Sequence, residues 1–169
     1  AINLQLLESN PNIKLKIYFV HDRIREAFYT KLSEEKKLEL HTRIAYALED
    51  IHTSVDEDIL FQLAHHYIEG KEEKKIIEFA YPAGIKAKEK YAYNEAGKYL
   101  KQVITILANK QEDCKDKLIT AKKNLAEVYL ITGKYDQSIS LFNKILPLLK
   151  TDIERAQIYQ MITSAYFKK

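Results

Sequence analysis

The chain has 169 residues, of which 46% are hydrophobic and 30% are charged, with only four glycines and three prolines. This composition predicts a folded, largely helical domain and excludes a disordered or fibrous chain. The net charge of +3 is too small to indicate nucleic-acid binding, no apolar run is long enough for a membrane span, and the single Cys114 favours a reducing, cytoplasmic location.

The N-terminal region predicts a strand followed by a helix. Apolar and basic residues alternate from Lys14 to Val20, which is typical of a strand. After His21 the apolar period changes to about 3.6 residues, which indicates a helix. The carboxylate of Asp22 suits a helix start because it can accept from the free backbone N–H groups there. No further strand is predicted after Val20.

Capping residues and apolar periodicity predict a succession of helices. Ser33 is the predicted N-cap of a helix over 34–51, and Ser/Thr-x-x-Glu capping boxes begin at Ser54 and Thr151. Pro82 interrupts a helical pattern and predicts a kink or a new helix start at that position. The other helical patterns cover 55–68, which the Ser54 box opens, 72–91, 93–109, 112–132, 135–149 and 152–167.

Residues 124–146 resemble a tetratricopeptide repeat. The residues that carry the resemblance are Leu125, Ala126, Tyr129, Gly133, Tyr135, Ser138, Phe142 and Ile145. The small Ala126 and Ser138 predict that the two helices of the repeat cross closely at these positions. Gly133 predicts a turn that ends the first helix, because glycine adopts the left-handed conformation without steric cost.

Two weaker repeats are predicted over 82–107 and 158–166, the second cut after its first helix. A solenoid cut within a repeat exposes an apolar face. Partial exposure is therefore predicted for Ile158, Ile162, Ala165 and Tyr166.

These patterns predict an all-α fold, a tetratricopeptide-like antiparallel helix-pair solenoid with a short β or winged-helix remnant at its N-terminus. The predicted segments are the end of a winged-helix-like unit (1–32), linker helices (33–71) and the repeats (72–169).

The triplet Val20-His21-Asp22, at the junction of the predicted strand and helix, resembles the end of the winged-helix domain in STAND signalling ATPases. This family includes the NACHT and NB-ARC relatives, and the continuation of the triplet is similar to the bacterial branch. The resemblance implies that His21 and Asp22 contact the β-phosphate side of ADP in an intact parent protein. The residues alone favour a simple helix cap, and both interpretations stay open.

The chain itself shows no motif for catalysis or cofactor binding. None of its four glycines stands in a Gly-x-x-x-x-Gly-Lys-Ser/Thr loop, so no cofactor is predicted here, and ADP or ATP would belong to the presumed parent. Neighbouring residues on a helix point about 100° apart, so His65 and His66 predict no metal site. His41 and His52 lack a partner pattern for zinc, and no enzymatic activity is predicted.

The predicted function is a non-catalytic sensor and protein-interaction arm of a multidomain bacterial signal-transduction ATPase. A protein, peptide or small effector would bind the concave repeat surface. Its lysines would give either a basic groove or a solvated face: Lys86, Lys88, Lys90, Lys98, Lys101, Lys122 and Lys123. The alternative is an autonomous tetratricopeptide adaptor. A weaker alternative is a nucleic-acid-binding winged-helix module, for which residues 22–32 are only mildly basic.

Overall fold

The computed structural model describes residues 7–9, 17–19, 21–52, 54–110 and 114–169. Parts of the predicted strand (residues 14–16 and 20) and of the predicted linker (111–113) lie outside these ranges. The elements are β1 (Leu7–Ser9), β2 (Ile17–Phe19), α1 (Asp22–Thr30), α2 (Glu34–Ile51), α3 (Glu57–Glu69), α4 (Glu73–Glu89), α5 (Tyr93–Ala108), α6 (Lys115–Ile131), α7 (Tyr135–Ile145) and α8 (Asp152–Lys168). None of the helices in the described ranges has both the length and the apolar character needed to cross a bilayer.

The described N-terminal part is a small antiparallel strand pair that leads into α1. Glu8 of β1 lies opposite Tyr18 of β2. β2 falls inside the predicted strand, and α1 begins at Asp22, where the change of period predicts a helix. No described residue after β2 belongs to a strand. The winged-helix interpretation of this segment stays a prediction.

From α2 to α8, each helix packs on the next one in the chain. Most of the turns between them are short, so neighbouring helices run antiparallel. One buried core cluster extends from Ala45 in α2 to Ala121 in α6, and another joins Ala126 in α6 to Ile158 in α8. This sequential packing is a helix-pair solenoid, the architecture that the sequence predicts.

Three turns of the solenoid close in the same way. Each contains one residue with a positive φ, which is 56° at Lys71, 62° at Tyr91 and 75° at Gly133. In each turn the next backbone N–H donates to the carbonyl five positions before it, over 2.8 to 3.1 Å. Gly133 ends its helix as predicted, whereas Lys71 and Tyr91 adopt this conformation at a cost of about 1–2 kcal/mol. The structural repeat therefore extends from the α3–α4 turn to the α6–α7 turn.

Two of the predicted caps are confirmed and one is wrong. Ser33 caps α2, and Thr151 forms a complete capping box at the start of α8. The predicted box at Ser54 does not form, because α3 starts later, with Asp56 as its N-cap. The Asp56 carboxylate accepts the backbone N–H three residues on at 2.9 Å. A charged acceptor makes a stronger cap bond than a hydroxyl does.

Helix α4 continues through Pro82, so the prediction of a new helix start there is wrong. Proline removes one backbone hydrogen bond from the helix interior. Ala80 and Ala83 on either side have no exposed surface, and this burial holds the helix together across the proline.

The predicted exposure of the C-terminal helix is only partly correct. Ile158 and Ala165 are buried, because α8 folds back onto α7 and adds to the core there. Tyr166 is 62% exposed, as predicted, and Phe167 beside it is 93% exposed. The exposed aromatic residues therefore lie on the face of α8 that points away from the solenoid.

A polar contact fixes α2, α3 and α4 to one another. The ring of Tyr67 in α3 is fully buried and stacks on Phe79, and its hydroxyl donates to the carboxylate of Glu49 in α2. The other oxygen of that carboxylate accepts from Lys75 Nζ in α4 at 2.7 Å. Burial and the negative charge of Glu49 both raise the pKa of Tyr67, so its hydroxyl stays a donor.

The close crossing predicted for α6 and α7 is confirmed. Ser138 and Ala126 have no exposed surface, and Ser138 Oγ donates to the carbonyl oxygen of Ala126 at 2.8 Å. A side chain can bond a backbone carbonyl of the facing helix only where the two backbones lie close together. Phe142 fills the adjacent space and is also fully buried.

We expect Ser138→Ala to lower the free energy of unfolding by about 0.5–1.5 kcal/mol, because one buried hydrogen bond is lost. Ser138→Leu should cost more, about 1–3 kcal/mol beyond that loss, because the crossing has no room for its side chain. Urea denaturation measures both, with Ser140→Ala on the exposed face of the same helix as the matched control. Equal urea midpoints for Ser138→Leu and the control would contradict the close crossing.

Candidate functional site

The predicted nucleotide-contacting residues lie at the start of α1. His21 is the N-cap residue, with an extended backbone (φ −139°, ψ 138°) and no side-chain cap hydrogen bond. The carboxylate of Asp22 lies 3.4 Å from the guanidinium of Arg25. Both His21 and Asp22 are exposed. His21 therefore occupies the cap position without a side-chain cap bond, and Asp22 lies in the first turn, where a carboxylate is favourable. The helix-start interpretation fits this geometry, and the nucleotide contact stays a prediction.

Five of the seven predicted lysines divide into a paired group and a groove-lining group. Lys86, Lys88 and Lys90 form ion pairs with Glu89, Glu127 and Glu57. Lys98 and Lys101 instead line a groove of about 280 Å³ between α5 and α6, together with Lys134 from the following turn. We call this groove the α5/α6 groove. It is the part of the predicted basic surface where a ligand has room to bind.

The α5/α6 groove has no acidic residue in its lining. Its remaining walls are Tyr93, Asn94, Gly97, Gln102, Val128, Tyr129 and Thr132. The amines of Lys101 and Lys134 lie over the ring of Tyr129, at 5.6 Å and 5.8 Å from its centre. Cations beside an aromatic face and away from carboxylates give the groove a positive potential.

Three histidines that the sequence analysis leaves without a shared role come together between α2 and α3. One ring nitrogen from each of His41, His65 and His66 lies within 4.8 Å of the others. His41 Nδ1 and His66 Nδ1 are hydrogen-bonded at 2.9 Å, and His41 Nε2 is hydrogen-bonded to the hydroxyl of Tyr29 in α1 at 2.9 Å. We call these three residues the histidine cluster.

The histidine cluster forms one wall of a cleft of about 790 Å³ between α1 and the α2–α3 pair. Leu40 and Ile44 give this cleft an apolar wall, and the carboxylates of Asp22, Glu26 and Glu69 line it as well. The cleft therefore combines apolar surface, three imidazoles and negative charge, whereas the α5/α6 groove is basic.

Burial favours the neutral form of two imidazoles of the cluster, those of His41 and His66. Desolvation lowers the pKa of His41, and the neighbouring His65 lowers it further. Desolvation also lowers the pKa of His66 from 6.5 to about 4, and His65 and His41 lower it by smaller amounts. The carboxylate of Glu69 raises this pKa by less than the other causes lower it. These shifts favour the neutral form of both rings near pH 7, and their mutual hydrogen bond needs one Nδ1 that donates and one that accepts.

Sequence analysis missed the histidine cluster for a physical reason. The argument from 100° spacing concerns the directions of Cα–Cβ bonds, whereas side-chain rotation brings the rings of His65 and His66 to a centroid distance of 5.1 Å. His41 lies 25 positions before His66, so only the docking of α2 on α3 unites them. The sequence did contain one indication of the cluster: the helical spacing places His41 on the inward face of its helix, together with Ala45.

Comparisons with known proteins add little beyond the fold. Neither a protein-family model nor a curated protein sequence matches the chain. A crystal structure of nearly identical TPR-like repeats, assigned as a kinesin light chain of Podosopora anserina, is similar at 13% sequence identity. Its TM-score is 0.47, over 86% of this chain and 83% of that one. The assignment of a helical solenoid therefore depends on the packing and repeated turns of the chain itself.

We expect the free energy of unfolding of the protein, with no metal ion bound, to fall as the pH decreases from 6.5 to about 4. In this range the unfolded chain protonates His66 while the folded chain does not, so protons favour unfolding. One pKa unit is equivalent to about 1.4 kcal/mol, and solvent screening of the half-buried ring reduces the total loss to roughly 1–2 kcal/mol.

Urea denaturation across this pH range in the presence of a chelator measures the effect. His66→Gln should flatten the pH profile, and His52→Gln, which replaces the C-cap residue of α2 outside the cluster, is the matched control. Identical profiles for His66→Gln and the parent would contradict a buried neutral His66.

Proposed function

We propose that this chain is a non-catalytic protein-interaction module whose α5/α6 groove binds an acidic segment of a partner protein. The observation that carries the proposal is the composition of the groove. Three lysines, two side-chain amides and two tyrosines converge there without any carboxylate. Stacked helix pairs present extended surfaces that suit the binding of a polypeptide.

The charge balance of the groove supports an anionic ligand. Lys98, Lys101 and Lys134 have no ion-pair partner among the described residues, in contrast to the paired lysines of α4. A partner carboxylate would supply the missing counter-charge. Asn94 and Gln102 offer amides that can bond the peptide backbone, and their polarity matches a peptide better than an apolar ligand.

We expect a fluorescein-labelled Asp/Glu-rich peptide to bind the protein, and a Lys-rich peptide of equal length not to bind. Lys101→Ala and Lys134→Ala should each weaken binding about two- to fivefold, the range for a partly exposed charge pair. Lys86→Ala, which removes an ion pair on α4, is the matched control. Fluorescence anisotropy measures the affinities.

Two results would overturn the groove proposal. One is equal affinity for the acidic and the basic peptide. The other is unchanged binding of the acidic peptide after both Lys101→Ala and Lys134→Ala, which would place the binding surface elsewhere.

A second, finer proposal places this module in a STAND-type signalling ATPase. Its support is the resemblance of Val20-His21-Asp22 to the end of the winged helix, together with the exposed His21 side chain that makes no cap bond. In such a parent, partner binding to the repeats would shift the linker helices α2 and α3 and release the hold of His21 on ADP. An autonomous adaptor would use the same groove without nucleotide.

The nucleic-acid alternative has less support. The arginines of α1, Arg23 and Arg25, are accompanied by Asp22 and Glu26, and Arg25 is paired with Asp22. A recognition helix needs an uncompensated basic face.

We expect ADP to bind to a longer chain that also contains an upstream phosphate-binding loop. His21→Ala should weaken the binding of ADP more than the binding of ATP. The reason is that a histidine on the β-phosphate favours the diphosphate state in the proposed switch. Calorimetry with both nucleotides measures this, with His52→Ala as the control. If the extended chain binds neither nucleotide, the adaptor becomes the better account, and the groove proposal is unaffected.

A further inference from the structure

The histidine cluster has the donor set of a transition-metal site. His41 comes from α2, and His65 and His66 come from the last two turns of α3. Their rings are in mutual contact, with centroid distances of 5.7 Å, 5.1 Å and 5.1 Å. We propose that His41, His65 and His66 bind one divalent transition-metal ion such as Zn²⁺, with one coordination position open to the α1/α2–α3 cleft.

The chemistry of the donors favours a transition-metal ion over the oxygen-preferring divalent ions. Neutral imidazole is the commonest side-chain ligand of Zn²⁺, and three histidines with an open fourth position form a known zinc arrangement. Oxygen-preferring ions such as Mg²⁺ and Ca²⁺ require carboxylate and carbonyl ligands instead. The nearest atoms in this cluster are nitrogens, so those ions are disfavoured.

The distance between the two hydrogen-bonded nitrogens is close to what the ion requires. His41 Nδ1 and His66 Nδ1 are 2.9 Å apart and share one proton. Two nitrogens bound to zinc at about 2.0–2.1 Å with tetrahedral angles lie about 3.4 Å apart, so the pair must open by roughly half an ångström. The ring that carries its proton on Nδ1 moves it to Nε2 through solvent, and both lone pairs then face the ion.

A supporting contact is already present for one ligand. When His41 binds the ion through Nδ1, its Nε2–H can donate to the hydroxyl oxygen of Tyr29, which lies 2.9 Å away. Such a contact from outside the ligand set fixes the tautomer and the ring orientation. Tyr29 belongs to α1, so the site draws on three successive helices.

The cluster also offers an entry path and compensating charge. His65 is exposed, whereas His41 is 8% exposed, so an ion can reach the buried nitrogens past the His65 ring. Glu69 lies one turn beyond His65 on α3 and lines the same cleft as Asp22 and Glu26. Glu26 and Glu69 balance part of the ion's charge, whereas Asp22 is paired with Arg25, which also lines the cleft. Water or a carboxylate can fill the open position.

The test uses the full chain without a histidine tag. Calorimetry should show one Zn²⁺ bound per chain, and the affinity should fall by at least about tenfold for His65→Asn and for His41→Asn. Tyr29→Phe should weaken binding to a smaller extent, because it removes only the supporting contact. His52→Asn should bind as the parent does. Because His65 is exposed, His65→Asn is expected to keep the fold, which circular dichroism verifies.

Cobalt gives a second readout that does not depend on affinity. Co²⁺ bound by three imidazoles in a four-coordinate site absorbs strongly in the visible range, whereas the octahedral aqueous ion absorbs weakly. A strong band in the parent that disappears in folded His65→Asn supports the site. The proposal is overturned if Zn²⁺ binding is absent, if His65→Asn binds as tightly as the parent, or if the Co²⁺ spectrum equals that of the aqueous ion.

Discussion

The close approach of neighbouring helices at small buried side chains is the constraint on which the rest of this structure depends. Residues without exposed surface at these contacts are Ala45, Ala64, Ala80, Ala83, Ala96, Ala126 and Ser138. Their size lets the backbones come near enough for large side chains such as Leu100 and Phe142 to fill the adjacent space completely. The same approach between α2 and α3 brings His41 to His66, so the histidine cluster is a product of the packing.

The α5/α6 groove and the histidine cluster have opposite chemistry but lie on connected surface. Gln102 lines the groove and also a second cleft of about 290 Å³ that reaches Tyr29 and His41. A partner that extends from the basic groove along this surface would therefore approach the cluster. The two sites remain distinct in their ligands, because the groove presents ammonium groups and the cluster presents neutral nitrogens.

Local sequence patterns correctly predicted the caps and the turn whose geometry depends on a few neighbouring residues. The caps at Ser33 and Thr151 and the turn at Gly133 each depend on contacts within about five positions, and all three are confirmed. The capping box at Ser54 and the new helix start at Pro82 were wrong, because a competing carboxylate and buried alanines outweighed the local preference, while the alternative of a kink at Pro82 stays a prediction. The histidine cluster and the unpaired state of the groove lysines depend on helix docking, which no spacing rule reveals. The winged-helix and ATPase context stays a prediction, because no described feature tests it.

The mainly sequential packing of α2 to α8 has a consequence for how the chain reaches its native state. Contacts between neighbouring helices close only short loops, so the relative contact order is low and folding is expected to be fast for a protein of this size. Any adjacent helix pair can serve as the nucleus, from which order spreads in both directions. During synthesis each helix pair can form as soon as it leaves the ribosome, because none has to wait for a distant segment of the chain.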